Sequence, residues 1–149
     1  MKREDKYPDS KYFCYHNENP KKRFTGDCVY RAIATATGID YRRVVLDLAE
    51  IAVETGWSPD CAECYGIYLK RLGWEKCKQP RKYNNKKYTG REFCKLLNDS
   101  DGTYGKSYIC HIGGHHIVCI KQTPKFGGGF KVHDIWDSAD GCIGNYWTK

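Results

Sequence analysis

The stretch GDCVYRAIATATG, residues 26–38, decides the fold of this chain. Its apolar residues recur at the spacing of one helix face, at Val29, Ala32, Ile33 and Ala36. Asp27 stands where an N-cap is expected, and Gly38 stands where a helix commonly ends. The stretch therefore predicts a short helix whose first residue is a cysteine, Cys28.

Cys28 has the electrostatic surroundings of a reactive thiol if it opens this helix. The thiolate rather than the thiol is the nucleophile, and the partial positive charge at a helix N-terminus lowers the pKa of a cysteine there. Such a cysteine also needs a base, which in this class of chemistry comes from a distant part of the chain. Cys28 is therefore a candidate nucleophile whose partner lies elsewhere in the sequence.

The segments on either side predict an arm and three more helices. Residues 1–24 are polar, contain two prolines and lack a helical period, so we expect an extended arm leading into a single domain of residues 25–149. Capping residues and apolar stripes predict the further helices at residues 40–56, at 60–72 and from Thr89 onward. The N-terminal half of the domain is thus predicted to be helical.

The C-terminal third of the chain has the pattern of strands. Short runs rich in β-branched and aromatic residues are SYICHI (107–112), HIVCI (116–120) and FKVHDIW (130–136). Glycines and a proline separate them, which indicates hairpin turns. Helices followed by strands, without βαβ alternation, predict an α+β fold with an N-terminal helical half packed against a C-terminal antiparallel sheet.

Length and composition are those of a globular protein without a membrane span. A chain of 149 residues can bury a core within one domain, and no stretch approaches the ~20 consecutive apolar residues of a membrane helix. The charged N-terminal residues do not resemble a secretion signal, and the nine cysteines are an odd number. We therefore expect a soluble, cytoplasmic protein with reduced cysteines and no membrane partner.

Positive charge is concentrated in one segment, Lys70–Lys95. The whole chain carries a net charge of +7, and this segment contains ten Lys or Arg residues against two Glu. Its aromatic residues do not follow the pattern of a base-stacking module. The segment therefore predicts either a solvated basic face or a surface for an anionic partner, of which nucleic acid is one alternative.

The base that Cys28 needs is supplied by the strand segment GGHHIVCI. Strand alternation directs His115 and His116 to opposite faces, so at most one of them can face the thiol, and we assign His116. A third group must orient the imidazole, and Asp134 lies on the next strand, one hairpin away. Cys28, His116 and Asp134 thus form a candidate triad in the chain order Cys, His, Asp.

The segments GDCVYRA, GHHIVCI and VHDIWDS together resemble the signature segments of papain-like cysteine peptidases. The resemblance extends over residues 17–138 and includes small bacterial and phage members of that superfamily, alongside peptidases that process bacteriocin leader sequences. It implies a papain-like fold and a thiol-dependent hydrolase that acts on a peptide or protein without a cofactor. Cys28 would attack an acyl carbon and form a thioester that water hydrolyses, His116 would take the thiol proton, and Asp134 would orient His116.

The resemblance also implies an oxyanion hole and a shield for the triad. Papain-like enzymes usually place a Gln a few residues before the Cys, whereas this chain has no Gln before residue 79. Asn19 offers the same kind of amide donor, and we assign it that role beside the backbone N–H of Cys28. Trp136 matches the family Trp that shields the contact between the His and the third residue from water.

Other interpretations stay open beside the enzyme. An unusual oxyanion hole is what we would expect of a binding module that keeps a papain-like shape with weak turnover or none. The basic segment leaves a nucleic-acid-associated protein as a further alternative. Cys61 and Cys64 form a C-x-x-C pair, which is half of a zinc site, but no second pair of that spacing follows and we predict no metal ligands.

Overall fold

The computed structural model describes residues 1–100 and 106–149, which form five helices and one six-stranded sheet. The helices are α1 (Arg3–Lys6), α2 (Cys28–Thr37), α3 (Tyr41–Thr55), α4 (Ala62–Arg71) and α5 (Gly90–Asp99). The strands are β1 (Phe13–Tyr15), β2 (Glu75–Cys77), β3 (Ser107–Ile112), β4 (His116–Gln122), β5 (Phe130–Asp134) and β6 (Ile143–Thr148). The fold class is therefore α+β.

Local signals in the sequence set the ends of the helices. α2 begins at Cys28 and is closed by Gly38, which has a left-handed φ of 76°. The side chain of Asp40 accepts a hydrogen bond from a backbone N–H in the first turn of α3. Thr89 and Glu92 make both hydrogen bonds of a capping box at the start of α5. These helices lie where the sequence predicts them.

The sheet is mixed rather than purely antiparallel. Its strand order is β1-β5-β4-β3-β6-β2, and every neighbouring pair is antiparallel except β1 and β5, which are parallel. The parallel strand comes from residues 1–24, the segment predicted to be an extended arm. Phe13 pairs with Val132 in this ladder, and its side chain is fully buried. Within residues 1–24, the segment Phe13–Tyr15 is therefore a strand of the sheet, and Arg3–Lys6 form a helix rather than an extended chain.

Helices cover both faces of the sheet. Ile109 and Ile117 pack into a cluster with α2, α3 and α4, whereas their chain neighbours Tyr108 and Val118 pack into a second cluster with α5. Because successive strand residues point to opposite faces, the two clusters lie on opposite sides of the sheet. Among the described residues, none of the helices combines the length and the apolar character that a membrane crossing requires.

A buried lysine ties the N-terminal segment to the sheet. The side chain of Lys131 in β5 is 0% exposed, and its ammonium donates hydrogen bonds to the carbonyls of Ser10 and Lys11, both at 2.7 Å, and of Phe126 at 3.0 Å. Three carbonyls satisfy the three N–H groups of the ammonium. The N-terminal strand is therefore held by the three hydrogen bonds of Lys131, here called the clamp, as well as by its backbone pairing with β5.

We expect Lys131→Met to loosen this N-terminal strand. The substitution removes three hydrogen bonds from a charged donor, and a hydrogen bond to a charged group contributes about 1.5–3 kcal/mol. Hydrogen exchange at the amides of residues 13–15 should then accelerate by about tenfold or more. Lys125→Met is the control, since Lys125 is an exposed lysine of the adjacent loop. Exchange that is the same in both variants would show that the clamp does not hold the strand.

Candidate active site

Three elements begin or end at the same end of the central strands, and each places a polar side chain there. Cys28 is the first residue of α2, His116 is the first residue of β4, and Asp134 is the last residue of β5. β4 and β5 are antiparallel, so the start of one lies beside the end of the other. α2 packs against β4. The structure therefore brings together the three residues that the sequence analysis assigns to a triad.

Hydrogen bonds connect the three side chains in series. Nε2 of His116 lies 2.5 Å from Oδ2 of Asp134. The His116 side chain is also a hydrogen-bond partner of the Cys28 thiol. The backbone N–H of Ile117 also donates to the Cys28 sulfur. His115, in contrast, is exposed in the turn before β4.

The surroundings of Cys28 and His116 favour an ion pair of thiolate and imidazolium. Burial alone would raise the pKa of the Cys28 thiol, but hydrogen bonds from His116 and from the Ile117 N–H hold it below its ordinary value. The positive charges of His116 and Arg31 contribute to the same shift. Burial would lower the pKa of His116, yet hydrogen bonds and charges of Asp134 and Cys28 raise it to about 9.

The sign of the His116 shift determines how it contributes to stability at each pH. A histidine titrates near about 6.5 in an unfolded chain, so a folded-state pKa of about 9 means that the folded protein binds the proton more tightly. The stabilisation is fully present below the unfolded value and is lost as the pH rises through about 9. Neutral pH therefore lies within the range in which the ring is charged.

Asp134 is held as a carboxylate by four hydrogen bonds. Its oxygens accept from His116 at 2.5 Å, the Ser138 hydroxyl at 2.6 Å, the Ile135 N–H at 2.8 Å and the Arg31 guanidinium at 3.0 Å. Burial would raise the pKa of Asp134, but the hydrogen bond and charge of His116 and the bonds from Ser138 and the Ile135 N–H lower it. The carboxylate therefore stays ionised at neutral pH and can orient the imidazole.

Arg31 is the residue of the site that the sequence analysis missed. It lies on α2 one turn after Asp27, and its buried guanidinium bridges Oδ1 of Asp27 at 2.7 Å and Oδ1 of Asp134 at 3.0 Å. The signal that could have found it is the spacing: Arg31 is the single charged residue of α2 and follows Asp27 by four positions, as ion pairs on one helix face do. The contact with Asp134 has no such local signal.

Asp27 occupies the N-cap position of α2 without capping the helix, which corrects the role that its position predicts. Its carboxylate makes no hydrogen bond to the first turn. It accepts instead from Arg31 at 2.7 Å, from the hydroxyl of Tyr41 at 2.9 Å and from the amide of Asn19 at 3.0 Å. The first N–H groups of α2, including that of Cys28, therefore have no side-chain cap within the described chain.

Asn19 lies near the site, but its amide faces Asp27 rather than the thiol. The side chain is buried, Nδ2 donates to Oδ2 of Asp27 at 3.0 Å and to the hydroxyl of Tyr41 at 3.5 Å, and Oδ1 accepts from the Lys21 N–H. The amide predicted to be an oxyanion-hole donor is thus engaged by another partner. In this arrangement Asn19 positions Asp27, which in turn holds Arg31.

An open cleft leads from the surface to Cys28. It has a volume of about 380 Å³, and its wall includes Cys28, His116, Arg3, Phe24 and Trp136. The ring of Trp136 lies against that of His116, with the centroids 5.0 Å apart and an angle of 35° between the planes. Phe24 exposes 58% of its surface. Cys28 therefore lines an open cleft together with two exposed aromatic rings, Phe24 and Trp136.

A second polar pair lies beside the triad, and the sequence analysis assigns it no role. The hydroxyl of Tyr65 lies 2.8 Å from Nε2 of His111. His111 is the cross-strand partner of Ile117, whose N–H donates to the Cys28 sulfur. Burial, followed by the charge of Cys28, raises the pKa of Tyr65 to about 12, and burial lowers the pKa of His111. The pair is therefore neutral at neutral pH.

The C-x-x-C pair lies at the start of α4. Cys61 is the N-cap residue of α4, and the buried thiol of Cys64 points to the Leu48 carbonyl at 3.5 Å. Within residues 1–100 and 106–149, no group of three or more His, Cys, Asp or Glu side chains is placed to hold a metal ion. All nine cysteines are free.

Comparisons with known proteins do not assign a function to the site. No protein-family model, curated protein or solved structure matches the chain. The chemistry of the site therefore has to be inferred from the contacts, burial and charges of its residues.

We expect Arg31→Gln to destabilise the fold far more than an equivalent change at the surface. The variant leaves the buried carboxylate of Asp27 without a cation and removes one of the two cations that contact Asp134, and breaking a buried pair in this way costs about 3–5 kcal/mol. Urea unfolding followed by tryptophan fluorescence measures the loss. The matched control is Arg43→Gln, because Arg43 forms a largely exposed pair with Asp47 on α3 and its loss should cost less than about 1 kcal/mol. Equal losses would contradict the role of Arg31.

Proposed function

We propose that this chain is a thiol-dependent hydrolase, a peptidase or amidase of papain-like fold that acts on a peptide or protein. In this proposal Cys28 is the nucleophile, His116 is the general base and acid, and Asp134 orients His116. The observation that carries the proposal is the continuous series of hydrogen bonds from Arg31 through Asp134 and His116 to the Cys28 sulfur.

The arrangement of the elements supports a papain-like shape. The cysteine begins a helix, the histidine begins a strand packed against that helix, and the aspartate ends the neighbouring strand. The papain-like resemblance of the sequence predicts the same three placements. Because one fold can carry many functions, the reaction itself is inferred from the site and not from the shape.

The ion pair supports attack on an acyl carbon. The Cys28 thiolate forms a C–S bond to the substrate carbonyl carbon, and the π electrons of the carbonyl move to its oxygen. The imidazolium of His116 then donates a ring proton to the leaving nitrogen as the C–N bond breaks. Asp134 keeps the ring oriented and stabilises its charge throughout. A thioester on Cys28 and a free amine result.

Hydrolysis of the thioester restores the starting state. Neutral His116 takes a proton from a water molecule, whose oxygen attacks the thioester carbonyl. Collapse of the intermediate breaks the C–S bond, releases the carboxylic acid and leaves Cys28 as a thiolate. The proton remains on His116, so the ion pair is regenerated, and water is the sole co-reactant of this step.

The uncapped start of α2 supports stabilisation of the oxyanion. The Cys28 N–H belongs to the first turn, and the carboxylate of Asp27 that would compete for this turn is bonded to Arg31 instead. Backbone N–H groups and the helix dipole stabilise negative charge that develops beside them. Since the Asn19 amide is bonded to Asp27, we assign the oxyanion to backbone donors at this helix start.

A papain-like binding module is the second candidate, and the position of Asn19 favours it. Loss of one oxyanion donor typically lowers the rate about 10²–10³-fold. With the Asn19 amide turned to Asp27, the ion pair could persist while turnover is weak. Turnover, rather than the presence of the ion pair, is therefore what separates the two candidates.

We infer that the protein works in a reducing compartment such as the cytoplasm. All nine cysteines are free, and thiols persist in that state where glutathione and thioredoxin keep them reduced. Burial raises the pKa of Cys94 and of Cys119 to about 12, so these thiols do not compete with Cys28 as nucleophiles.

Purified protein should accept an acetyl group from p-nitrophenyl acetate at Cys28 and then release it to water. Absorbance of p-nitrophenol measures turnover, and peptide mass spectrometry after an acid quench locates the acetyl group. In Cys28→Ala and in His116→Ala the enzymatic rate should fall by about 10³-fold or more. Cys142→Ala, which removes an exposed thiol, should keep the wild-type rate.

The outcomes of this experiment separate the candidates. Acetylation of Cys28 followed by hydrolysis supports the hydrolase, whereas acetylation without hydrolysis supports the binding module. Acetyl groups on other cysteines with Cys28 unmodified would contradict Cys28 as the nucleophile and with it the proposed function.

A further inference from the structure

A second groove lies beyond the turn that joins β3 to β4. It has a volume of about 560 Å³, and its wall includes Lys87, His111, Gly113, Gly144 and Asn145. These residues come from the hairpin of β3 and β4, from β6 and from the segment before α5. The proposed reaction assigns no role to any of them.

The groove and the cleft of Cys28 are separated by one smaller pocket. His111 in the groove wall is the cross-strand partner of Ile117, and the N–H of Ile117 donates to the Cys28 sulfur. The wall of this smaller pocket shares Trp136 with the cleft and Gly113 with the groove. An extended peptide advances about 3.3 Å per residue. We therefore expect a longer peptide bound with its reacting carbonyl at Cys28 to extend into the groove.

The charge along this path is positive. Lys87 lines the groove, and Lys76 lies close enough to His111 to add to the effect of burial in lowering its pKa. At the other end of the path, Arg3 lines the cleft. Among the described residues, the walls of the groove and the cleft contain no Asp or Glu. A negatively charged ligand is thus attracted to both the groove and the cleft.

Lys76 and Lys87 are available for such a ligand because neither belongs to an ion pair among the described residues, whereas four other cations of Lys70–Lys95 do. Ion pairs with carboxylates occupy Arg71, Lys82, Arg91 and Lys95. Asp137 and Asp140, the carboxylates of the smaller pocket, are both paired with Arg91. Within residues 1–100 and 106–149, Lys76 and Lys87 have no ion-pair partner.

We propose that this groove binds an acidic segment of the polypeptide on which Cys28 acts, with Lys87 contacting its Asp or Glu side chains. This inference rests on the proposed function, because it assigns the groove to the substrate of the same site. It narrows the substrate class from any peptide to an acidic one. Lys76 and Arg3 extend the attraction beyond the groove itself.

The composition of the groove favours a polypeptide over a nucleic acid. Among the described residues, its wall contains no Phe, Tyr or Trp on which bases could stack. A Cβ added at Gly113 or Gly114 would meet open space, so bare backbone faces the approaching ligand at this turn. Such a surface lets a main chain approach closely.

Binding of labelled peptides tests the proposal. The full chain carrying Cys28→Ala is titrated against a fluorescein-labelled peptide rich in Glu and against a matched peptide with Lys in place of Glu. Fluorescence anisotropy should show binding of the Glu peptide that weakens with salt, and little binding of the Lys peptide. Adding Lys87→Glu should weaken binding of the Glu peptide by roughly tenfold. Lys86→Glu, at an exposed neighbour outside the groove wall, should weaken it less than about twofold.

Three results would overturn the proposal. The first is equal affinity for the two peptides, and the second is an equal effect of the two charge reversals. The third is Lys87-dependent binding of a single-stranded oligonucleotide of equal charge that is tighter than binding of the Glu peptide. This third result would assign the groove to nucleic acid. Because the Cys28→Ala background cannot form a thioester, binding is measured independently of turnover. A result that contradicts peptide binding in the groove is therefore distinguishable from a result that contradicts hydrolase activity, which the acetyl-transfer experiment detects.

Discussion

The guanidinium of Arg31, buried between the carboxylates of Asp27 and Asp134, is the interaction on which the rest of the structure depends. Each carboxylate would be costly to bury alone, and one cation offsets both. The series continues through the His116 imidazolium to the Cys28 thiolate, so that charges of opposite sign alternate along it. Arg31 and Asp27 come from the start of α2, and Asp134 and His116 from strand ends. The ion pair of Arg31 that joins α2 to the sheet therefore also brings the residues of the site together.

This pairing explains why the helix start is free for chemistry. An aspartate at an N-cap ordinarily bonds the first turn of its helix, whereas Asp27 is drawn away by Arg31, Tyr41 and Asn19. The backbone donors beside Cys28 are thereby left for a ligand. A fixed carboxylate, a charged imidazole and free backbone donors are together the groups that acyl transfer through a thiol requires.

Local signals in the sequence predicted four of the five described helices and three strands, because caps, glycine stops and apolar periods act within a few residues; α1 was not predicted. Thr89 with Glu92 is an example, since both bonds of its capping box form. β6 escaped prediction because Gly144 and Asn145 disfavour a strand, and pairing with β3 and β2 decides its conformation. The place of β1 in the sheet and the partner of Asn19 also depend on residues distant in sequence, which no local pattern encodes.

The pH dependence of Cys28 alkylation by iodoacetamide tests the central claim most directly. Peptide mass spectrometry compares Cys28 with the other cysteines of the same chain, in wild type and in His116→Ala. We predict that Cys28 reacts well below the pKa of about 8.5 of a free thiol and loses this reactivity without His116, because the thiolate is stabilised by the imidazolium. If Cys28 instead follows the pH dependence of the exposed Cys142, the ion pair does not exist and the proposed chemistry is contradicted.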